Sequence, residues 1–244
     1  IHNSLGRLEI LNSTFSGNSA VHVGGGVAND LNSVTNIVNS TFEENVAGMG
    51  GGVQNFAGTL TVRGSTFRGN SAGSGGGVQN LENGSLEVRD STFTRNHAEI
   101  EGGGIHSVGA LLVVDSTISR NTAGATGRGG GISSAAQAEF DTVKILHNSS
   151  GSSGGGLYNL ASATIDHTTF AGNSSNDGGA IAFVRQVGAE SSVMLLDVAS
   201  GRLRTLAEGG HDFRHLTWGA GGRSLLATSV RSMGRATIVR VPFD

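Results

Sequence analysis

The chain has 244 residues and a formal net charge of -3, with 41 glycines, one proline and no cysteine. The lack of cysteine excludes disulfides, thiol catalysis and cysteine-ligated zinc, and the charge balance is not that of a nucleic-acid-binding protein. No run of about eighteen apolar residues is present, so we expect no transmembrane helix.

A motif of about 26 residues recurs from the first residues to about residue 185. Each copy has a large apolar residue after a Ser-Thr-like pair, an asparagine three residues later, and then a glycine triplet (Gly-Gly-Ala in the last copy) followed by a branched apolar residue. The large apolar residues are Phe15, Phe42, Phe67, Phe93, Ile118, Ile145 and Phe170, and the asparagines are Asn18, Asn45, Asn70, Asn96, Asn121, Asn148 and Asn173. This repeat length is typical of a solenoid, in which each unit buries its apolar face against its neighbours.

Apolar and polar residues alternate within each repeat, which indicates strands rather than helices. In the fourth repeat the inward residues are Leu86 and Val88 in a first strand, Ser91 and Phe93 in a second, and Ile105 in a third that follows the glycines. A glycine triplet in every unit would cost a helix about 1 kcal/mol per glycine. The pattern therefore predicts three short strands per coil of a parallel β-helix.

The recurrent polar and glycine positions have a structural interpretation in such a coil. Stacked coils lie about 4.8 Å apart, so equivalent inward asparagines are expected to form a hydrogen-bonded ladder that satisfies buried amides. The glycines are expected to allow positive φ at a sharp corner and close approach to the next coil.

The run L-x-V-x-D-S-T-F-x-x-N followed by G-G-G-I resembles the repeat of polymorphic outer-membrane proteins, which is marked by FxxN and GGA[ILV]. It is also similar to right-handed β-helix surface proteins of the pectin-lyase-like fold. A cysteine that often precedes the Thr-Phe pair in the family is replaced here by serine or threonine. The resemblance implies an all-β, right-handed parallel β-helix of about seven coils over residues 1–187, roughly 34 Å long at about 4.8 Å per coil. It also implies an extracellular or bacterial cell-surface location.

The period stops after Gln186, and residues 188–244 are predicted to form a small antiparallel β segment. Ser200-Gly201 and Gly221-Gly222 are expected to be tight turns. The string LLDVASGRLRTLAEGGHDFRHLTWGAGGRSLLATS resembles one blade of a TolB-like β-propeller. A closed propeller needs about four blades or more, so this segment is interpreted as a cap for the β-helix or a single propeller-like blade.

Three aspartates, Asp90, Asp115 and Asp141, are candidate catalytic residues. Asp90 and Asp115 occupy equivalent positions in successive repeats, which would place them roughly 5 Å apart. Paired carboxylates at that separation serve retaining glycosidases and can also hold Ca²⁺, so these two are also candidate metal ligands. Other repeats have Asn12, Asn39 and Gly64 at this position. A short polar residue required at a corner therefore explains the aspartates more simply.

Two groups of histidines contain residue types that bind metals. His97 and His106 flank Glu99 and Glu101, and His211, Asp212 and His215 follow each other in the C-terminal segment. The first spacing matches no known zinc motif, and loop variation explains it more simply. An i, i+4 histidine pair suits a metal on a helix, but the surrounding C-terminal pattern is strand and turn.

Stacking accounts for every recurrent residue, so the sequence favours a non-enzymatic secreted or cell-surface protein without a cofactor. It would act as a structural rod or an adhesin-like binding module, with surface glycans or other proteins as partners and no nucleic acid. Two alternatives stay open: a polysaccharide lyase or glycoside hydrolase with a groove on the β-helix face, and carbohydrate binding without cleavage. Ca²⁺ belongs only to the lyase alternative, and the oligomeric state is left open.

Overall fold

The structure, a computed structural model, describes residues 1–176 and the strands within 180–187, 190–197, 203–208, 212–218, 224–230 and 236–242. It divides into two units, Ile1–Gly179 with Val198–Ser200 and Ala180–Asp197 with Gly201–Asp244. The described residues contain β-strands as their regular structure. None of them forms a helix long and apolar enough to cross a membrane.

The first unit is a parallel β-helix in which each coil contributes a strand to each of four seven-stranded sheets. Sheet A consists of His2–Asn3, Val27–Asn29, Val53–Asn55, Val78–Asn80, Ile105–Ser107, Ile132–Ser134 and Leu157–Asn159. Sheet B consists of Arg7–Leu11, Val34–Val38, Thr59–Arg63, Ser85–Arg89, Ala110–Val114, Ala138–Asp141 and Ala163–Asp166. Sheet C consists of Thr14–Ser16, Thr41–Glu43, Thr66–Arg68, Thr92–Thr94, Thr117–Ser119, Lys144–Leu146 and Thr169–Ala171. Sheet D consists of Ser19–Val23, Val46–Met49, Ser71–Ser74, His97–Glu101, Thr122–Ala123, Ser149–Ser150 and Ser174–Ser175.

Four strands per coil correct the sequence prediction of three. The parallel β-helix and its seven coils are confirmed, and equivalent residues of neighbouring coils are paired in register, as Phe67 is with Phe93. Sheet D was missed because its strands bury little more than one small residue per coil, such as Ala72 or Ala98. The rest of each strand is glycine or polar, so no period-two pattern of large apolar residues marks it.

The core is a set of stacked columns that run from coil to coil. The rings of Phe15, Phe42, Phe67 and Phe93 stack with centroids 4.6–4.8 Å apart and planes within 3° of parallel. The predicted asparagine ladder is present beside them. The backbone N–H and Nδ2 of Asn96 both donate to Asn121 Oδ1 at 2.9 Å, and its Nδ2 also donates to the Phe67 carbonyl at 3.0 Å.

A second ladder follows the inward ends of the sheet A strands. Asn29 Nδ2 donates to Asn55 Oδ1 and Asn55 Nδ2 to Asn80 Oδ1, both at 2.7 Å, and Asn80 Nδ2 donates to Ser107 Oγ at 3.0 Å. Each of these residues is buried. Hydrogen bonds along the stack therefore satisfy the amides that the fold removes from water.

The glycine triplets make the corner between sheets D and A, and both predicted roles of these glycines are confirmed. Gly102, the first of its triplet, has φ +65°, which L-residues with a Cβ adopt only at a cost. Gly103, the second, has no room for a side chain, since a Cβ there would lie 2.3 Å from the Gly130 carbonyl oxygen in the next coil.

The second unit contains two three-stranded antiparallel sheets. One consists of Ala180–Val187, Glu190–Asp197 and Leu203–Glu208, and the other of Asp212–Trp218, Ser224–Val230 and Ala236–Pro242. Ala180–Val187, which the sequence assigned to the β-helix, pairs antiparallel with Glu190–Asp197. The predicted turns at Ser200-Gly201 and Gly221-Gly222 lie outside the described residues.

Candidate functional site

Sheet A has one outward-facing side chain per coil, because its three-residue strands point their first and third side chains into the core. These central residues are His2, Ala28, Gln54, Gln79, His106, Ser133 and Tyr158, aligned by the parallel register. Gln54, Gln79 and His106 in three successive coils form what we call the outer polar column. They are only 3%, 2% and 6% exposed. Outward residues of other sheets, such as Thr61 and Thr92, are half-buried, so the side chains of the outer polar column are more completely covered than those.

Each member of the outer polar column has a buried polar atom without a hydrogen-bond partner. These atoms are Gln54 Oε1, Gln79 Oε1 and His106 Nδ1. Among the described residues one other side-chain atom, Asn159 Oδ1, shares this condition. A buried acceptor left unpaired costs about 1–3 kcal/mol, so a run of three in adjacent coils is unusual in a protein that otherwise pairs its inward amides. Rotating a glutamine amide by 180° would bury its nitrogen instead, which is also a hydrogen-bonding group.

Glycine backbone lies on one side of the outer polar column, and a turn that begins with an aromatic residue lies on the other. On the sheet D side the corner glycines lie directly against the column, since a Cβ on Gly75 would come within 2.7 Å of Gln79 Cβ. On the opposite side the turn toward sheet B begins with Phe56, two residues after Gln54. The Phe56 side chain is 44% exposed. The outer polar column is therefore covered itself but is followed in the chain by an exposed aromatic side chain.

Charged groups lie near His106, the last residue of the outer polar column. Burial lowers the pKa of His106, and the Glu101 carboxylate, whose Oε2 lies 3.4 Å from His106 Nδ1, opposes that shift. That contact lacks the geometry of a hydrogen bond, so the interaction of His106 Nδ1 with Glu101 is electrostatic only. Glu101 is bridged by backbone pairing to Arg128, whose guanidinium lies 5.2 Å from the centre of the Tyr158 ring.

The structure places Asp90 and Asp115 at equivalent exposed corners between sheets B and C. Their φ values are 50° and 47°, and Asn12, Asn39 and Gly64 have the same left-handed backbone at this position. Asparagine, aspartate and glycine tolerate that conformation best. The corner geometry thus accounts for the residue type in five coils, whereas Thr142 and His167 adopt the same conformation in the last two. The guanidinium of Arg89 interacts with both carboxylates, although its pKa is raised first by its hydrogen bond to Glu87.

Asp141 does not lie in the column of Asp90 and Asp115. It is the last residue of its sheet B strand and pairs with Val114, while Thr142 takes the corner position. Asp141 instead lies near Asp166 and His167, and one ligand atom of each lies within 4.8 Å of the others. His167 Nδ1 is 3.0 Å from Asp166 Oδ2 and 3.7 Å from Asp141 Oδ1. All three side chains are exposed.

The histidines of the first group lie on different sheets. His97, on sheet D, places Nδ1 2.8 Å from Thr122 Oγ1 and Nε2 3.2 Å from Glu99 Oε1, whereas His106 belongs to the outer polar column. Within residues 1–176 these two histidines are not part of a three-ligand group of the kind found at Asp141. His211 lies outside the described residues, and the structure describes only the strand backbone at Asp212 and His215.

Sequence reasoning missed Gln54 and Gln79. The string GGGVQN occurs twice, at 50–55 and 75–80, and its glutamine is the one outward residue of sheet A that is identical in successive coils. That identity was the available signal. The burial of these side chains could not be inferred, because it depends on which residues lie beside them in the folded coils.

Comparison with known proteins adds one family. Residues 167–183, which include the last FxxN and the GGAI string, match the family model described as the Chlamydia polymorphic membrane protein repeat. No curated protein and no solved structure matches the chain. The last repeat of this β-helix is thus similar to the Chlamydia polymorphic membrane protein repeat, as the sequence resemblance indicated.

Proposed function

We propose that this chain is a non-enzymatic β-helix module displayed at a cell surface, where it acts as a rigid rod that carries a binding face. The proposal rests on a contrast between polar residues that coil stacking explains and polar residues that it does not. The inward asparagines and serines, the corner glycines and the corner aspartates are all accounted for by coil stacking. Among the described residues, three of the four buried side-chain atoms without a hydrogen-bond partner belong to the outer polar column on sheet A.

The surface location is supported by the polymorphic membrane protein repeat in residues 167–183. A β-helix also suits display, since every coil is held to the next by parallel pairing in four sheets. Such a module gains length by adding coils, and its stability is approximately the sum of coil and interface contributions. Outward residues can then vary without disturbing the ladder inside.

Labelling of intact producing cells tests the location. Antibodies against the β-helix should bind intact cells, and external protease should remove the signal. Labelling that appears only after the cells are permeabilised would contradict surface display.

Incubation with glycans tests the non-enzymatic role. Polygalacturonate, alginate and neutral oligosaccharides, each with and without Ca²⁺, should show no new reducing ends or unsaturated products. Turnover that the Asp115→Asn variant abolishes would overturn the non-enzymatic proposal and favour the polysaccharide-cleaving alternative. A matched Asn39→Asp variant, which changes the same corner in another coil, serves as the control for general surface effects.

A further inference from the structure

We propose that the outward face of sheet C is a self-association surface, through which two copies of this chain form a parallel, side-by-side dimer. The two edges of this face have charges of opposite sign in the same two coils. Asp90 and Asp115 lie at the corner between sheets B and C, and Arg95 and Arg120 lie at the corner between sheets C and D. All four residues are exposed, so a second copy can reach them.

Each of these two coils holds its aspartate and its arginine apart. The strings DSTFTR at 90–95 and DSTISR at 115–120 place the acid before a sheet C strand and the base after it. The three-residue strand between them is about 10 Å long, and its central side chain, such as Phe93, is fixed in the core. Between the charged edges lie outward hydroxyl side chains such as Thr92 and Thr94, which both donate and accept hydrogen bonds.

The four charges are left uncompensated by the β-helix itself. Within residues 1–176 their side chains form no hydrogen bond and no ion pair. Arg89 attracts both aspartates, but its guanidinium is hydrogen-bonded to Glu87. The parallel register stacks the two arginines, and likewise the two aspartates, one coil apart, where like charges repel. Neither corner needs a charge for its backbone conformation, because other coils have Asn39 or Gly69 there.

The distribution of charge selects one symmetry for the dimer. A two-fold axis parallel to the β-helix axis places each coil opposite the same coil of the second copy and exchanges the two edges. Asp90 then lies opposite the partner's Arg95, and Asp115 opposite the partner's Arg120, and each pair occurs twice. A two-fold axis across the coils would instead bring aspartates to aspartates and arginines to arginines. Because a two-fold interface uses the same patch on both copies, this self-complementary face fits a second copy of the chain.

The neighbouring charges and the size of the face predict a weak dimer. In the preceding coil, Arg63 and Arg68 lie near the two edges. Glu87 and Glu43 already pair with them, so they add no uncompensated charge. From corner to corner the face measures roughly 15 Å by 34 Å. Two copies would cover roughly 1,000 Å² in total, which is the lower limit for a specific interface.

Sedimentation of the 244-residue chain tests the dimer. In low salt the average mass should rise as the concentration approaches about 300 μM, and it should return to that of the monomer in about 0.5 M salt, which screens the charge pairs. Asp90→Asn with Asp115→Asn, which suits the left-handed corner, should weaken the dimer about tenfold or more. Glu82→Lys reverses an exposed charge between sheets A and B, and it should leave the dimer unchanged.

Charge exchange tests the proposed pairing. Arg95→Glu with Arg120→Glu makes both edges acidic, and Asp90→Lys with Asp115→Lys makes both edges basic. Each double variant alone should stay monomeric. An equimolar mixture of the two should dimerise, because every acidic edge then meets a basic edge. Circular dichroism of each variant verifies that it is folded.

Spin labelling tests the orientation of the two copies. The chain has no cysteine, so Ser16→Cys in the first coil gives a single labelling site on sheet C. Electron–electron distances should be short in the parallel dimer, because it places the two first coils side by side. Labels at opposite ends of the face would overturn the parallel arrangement.

Three further results would overturn the dimer itself. They are a monomer at every concentration in low salt, a dimer that Arg95→Glu with Arg120→Glu leaves intact, and folded charge-exchanged variants whose mixture stays monomeric. These measurements are independent of the proposed function, since they depend neither on the location of the protein nor on its activity toward glycans.

Discussion

Asn80 and Gln79 are neighbours in sequence, both are almost completely buried, and yet their amides are in opposite situations. Asn80 faces the core, where its Oδ1 accepts from Asn55 and its Nδ2 donates to Ser107 Oγ. Gln79 faces outward from the same strand, and its Oε1 has no partner. The inner amides form hydrogen bonds with buried backbone carbonyls and with each other. The outer amides are also removed from water, but their oxygens have no hydrogen-bond partner. This difference distinguishes the structural residues of sheet A from its candidate site.

The largest effect is expected from the inner face. Asn80→Leu should lower the free energy of unfolding by about 4 kcal/mol, because it removes the hydrogen bonds of Asn80 with Asn55, with Ser107 and with the carbonyls of Gly84 and Ala110, and a hydrogen bond contributes about 1 kcal/mol. Urea unfolding followed by circular dichroism measures the change. Asn36→Leu, on the outward side of sheet B, should change it by less than about 0.5 kcal/mol. Equal losses in the two variants would show that the ladder is not what stabilises the coil.

The corner that separates the inner and outer faces should be the next most sensitive. Gly103→Ala would place a Cβ 2.3 Å from the Gly130 carbonyl and 2.4 Å from that of Thr122, and it should cost about 3 kcal/mol through forced backbone movement. Gly69→Ala has its nearest neighbour at 3.6 Å and a φ of +65°. It should cost about 1–2 kcal/mol, since only the left-handed conformation is strained. Thermal unfolding of both variants checks the order, and a reversal would refute the close-approach role of the second glycine.

The outer face should show a pH dependence that the inner face lacks. Because the pKa of folded His106 is below its ordinary value of 6.5, the unfolded chain binds a proton more readily. Its contribution to stability is therefore complete above about pH 6.5 and is lost as the pH falls toward the folded pKa. Wild type should lose stability relative to His106→Gln when the pH is lowered from about 7.5 to 5. Parallel stability profiles for the two proteins would show that burial does not lower this pKa.

The smallest effect on stability is expected from Gln79→Met. The substitution keeps the length of the side chain and removes an unpaired buried acceptor, so the free energy of unfolding should change by less than about 1 kcal/mol and should not fall. Urea unfolding measures it beside Asn80→Leu. A loss as large as that of Asn80→Leu would mean that Gln79 has a structural role, and it would weaken the assignment of the outer polar column as a site.

Much of the β-helix could be predicted from the sequence because each of its columns repeats a residue type at a fixed interval. Phe67 and Phe93, Asn70 and Asn96, and the glycine triplets reveal the coil without knowledge of its neighbours. The fourth strand could not be predicted, since Ala72 and Ala98 are too small and too isolated to give a strand pattern. Asp90 and Asp115 were correctly placed on successive coils, and their left-handed corners supply the structural reason for their residue type.

The sequence by itself determined the architecture of the first unit: parallel coils, inward asparagines and tight glycine corners. These follow from local spacing, because in a solenoid each residue contacts its equivalents one period away. Only the tertiary structure decided that Gln54, Gln79 and His106 are buried on the outward side. Their exposure depends on which residues lie beside them after folding, and the sequence shows only the glutamine repeated in the two GGGVQN strings.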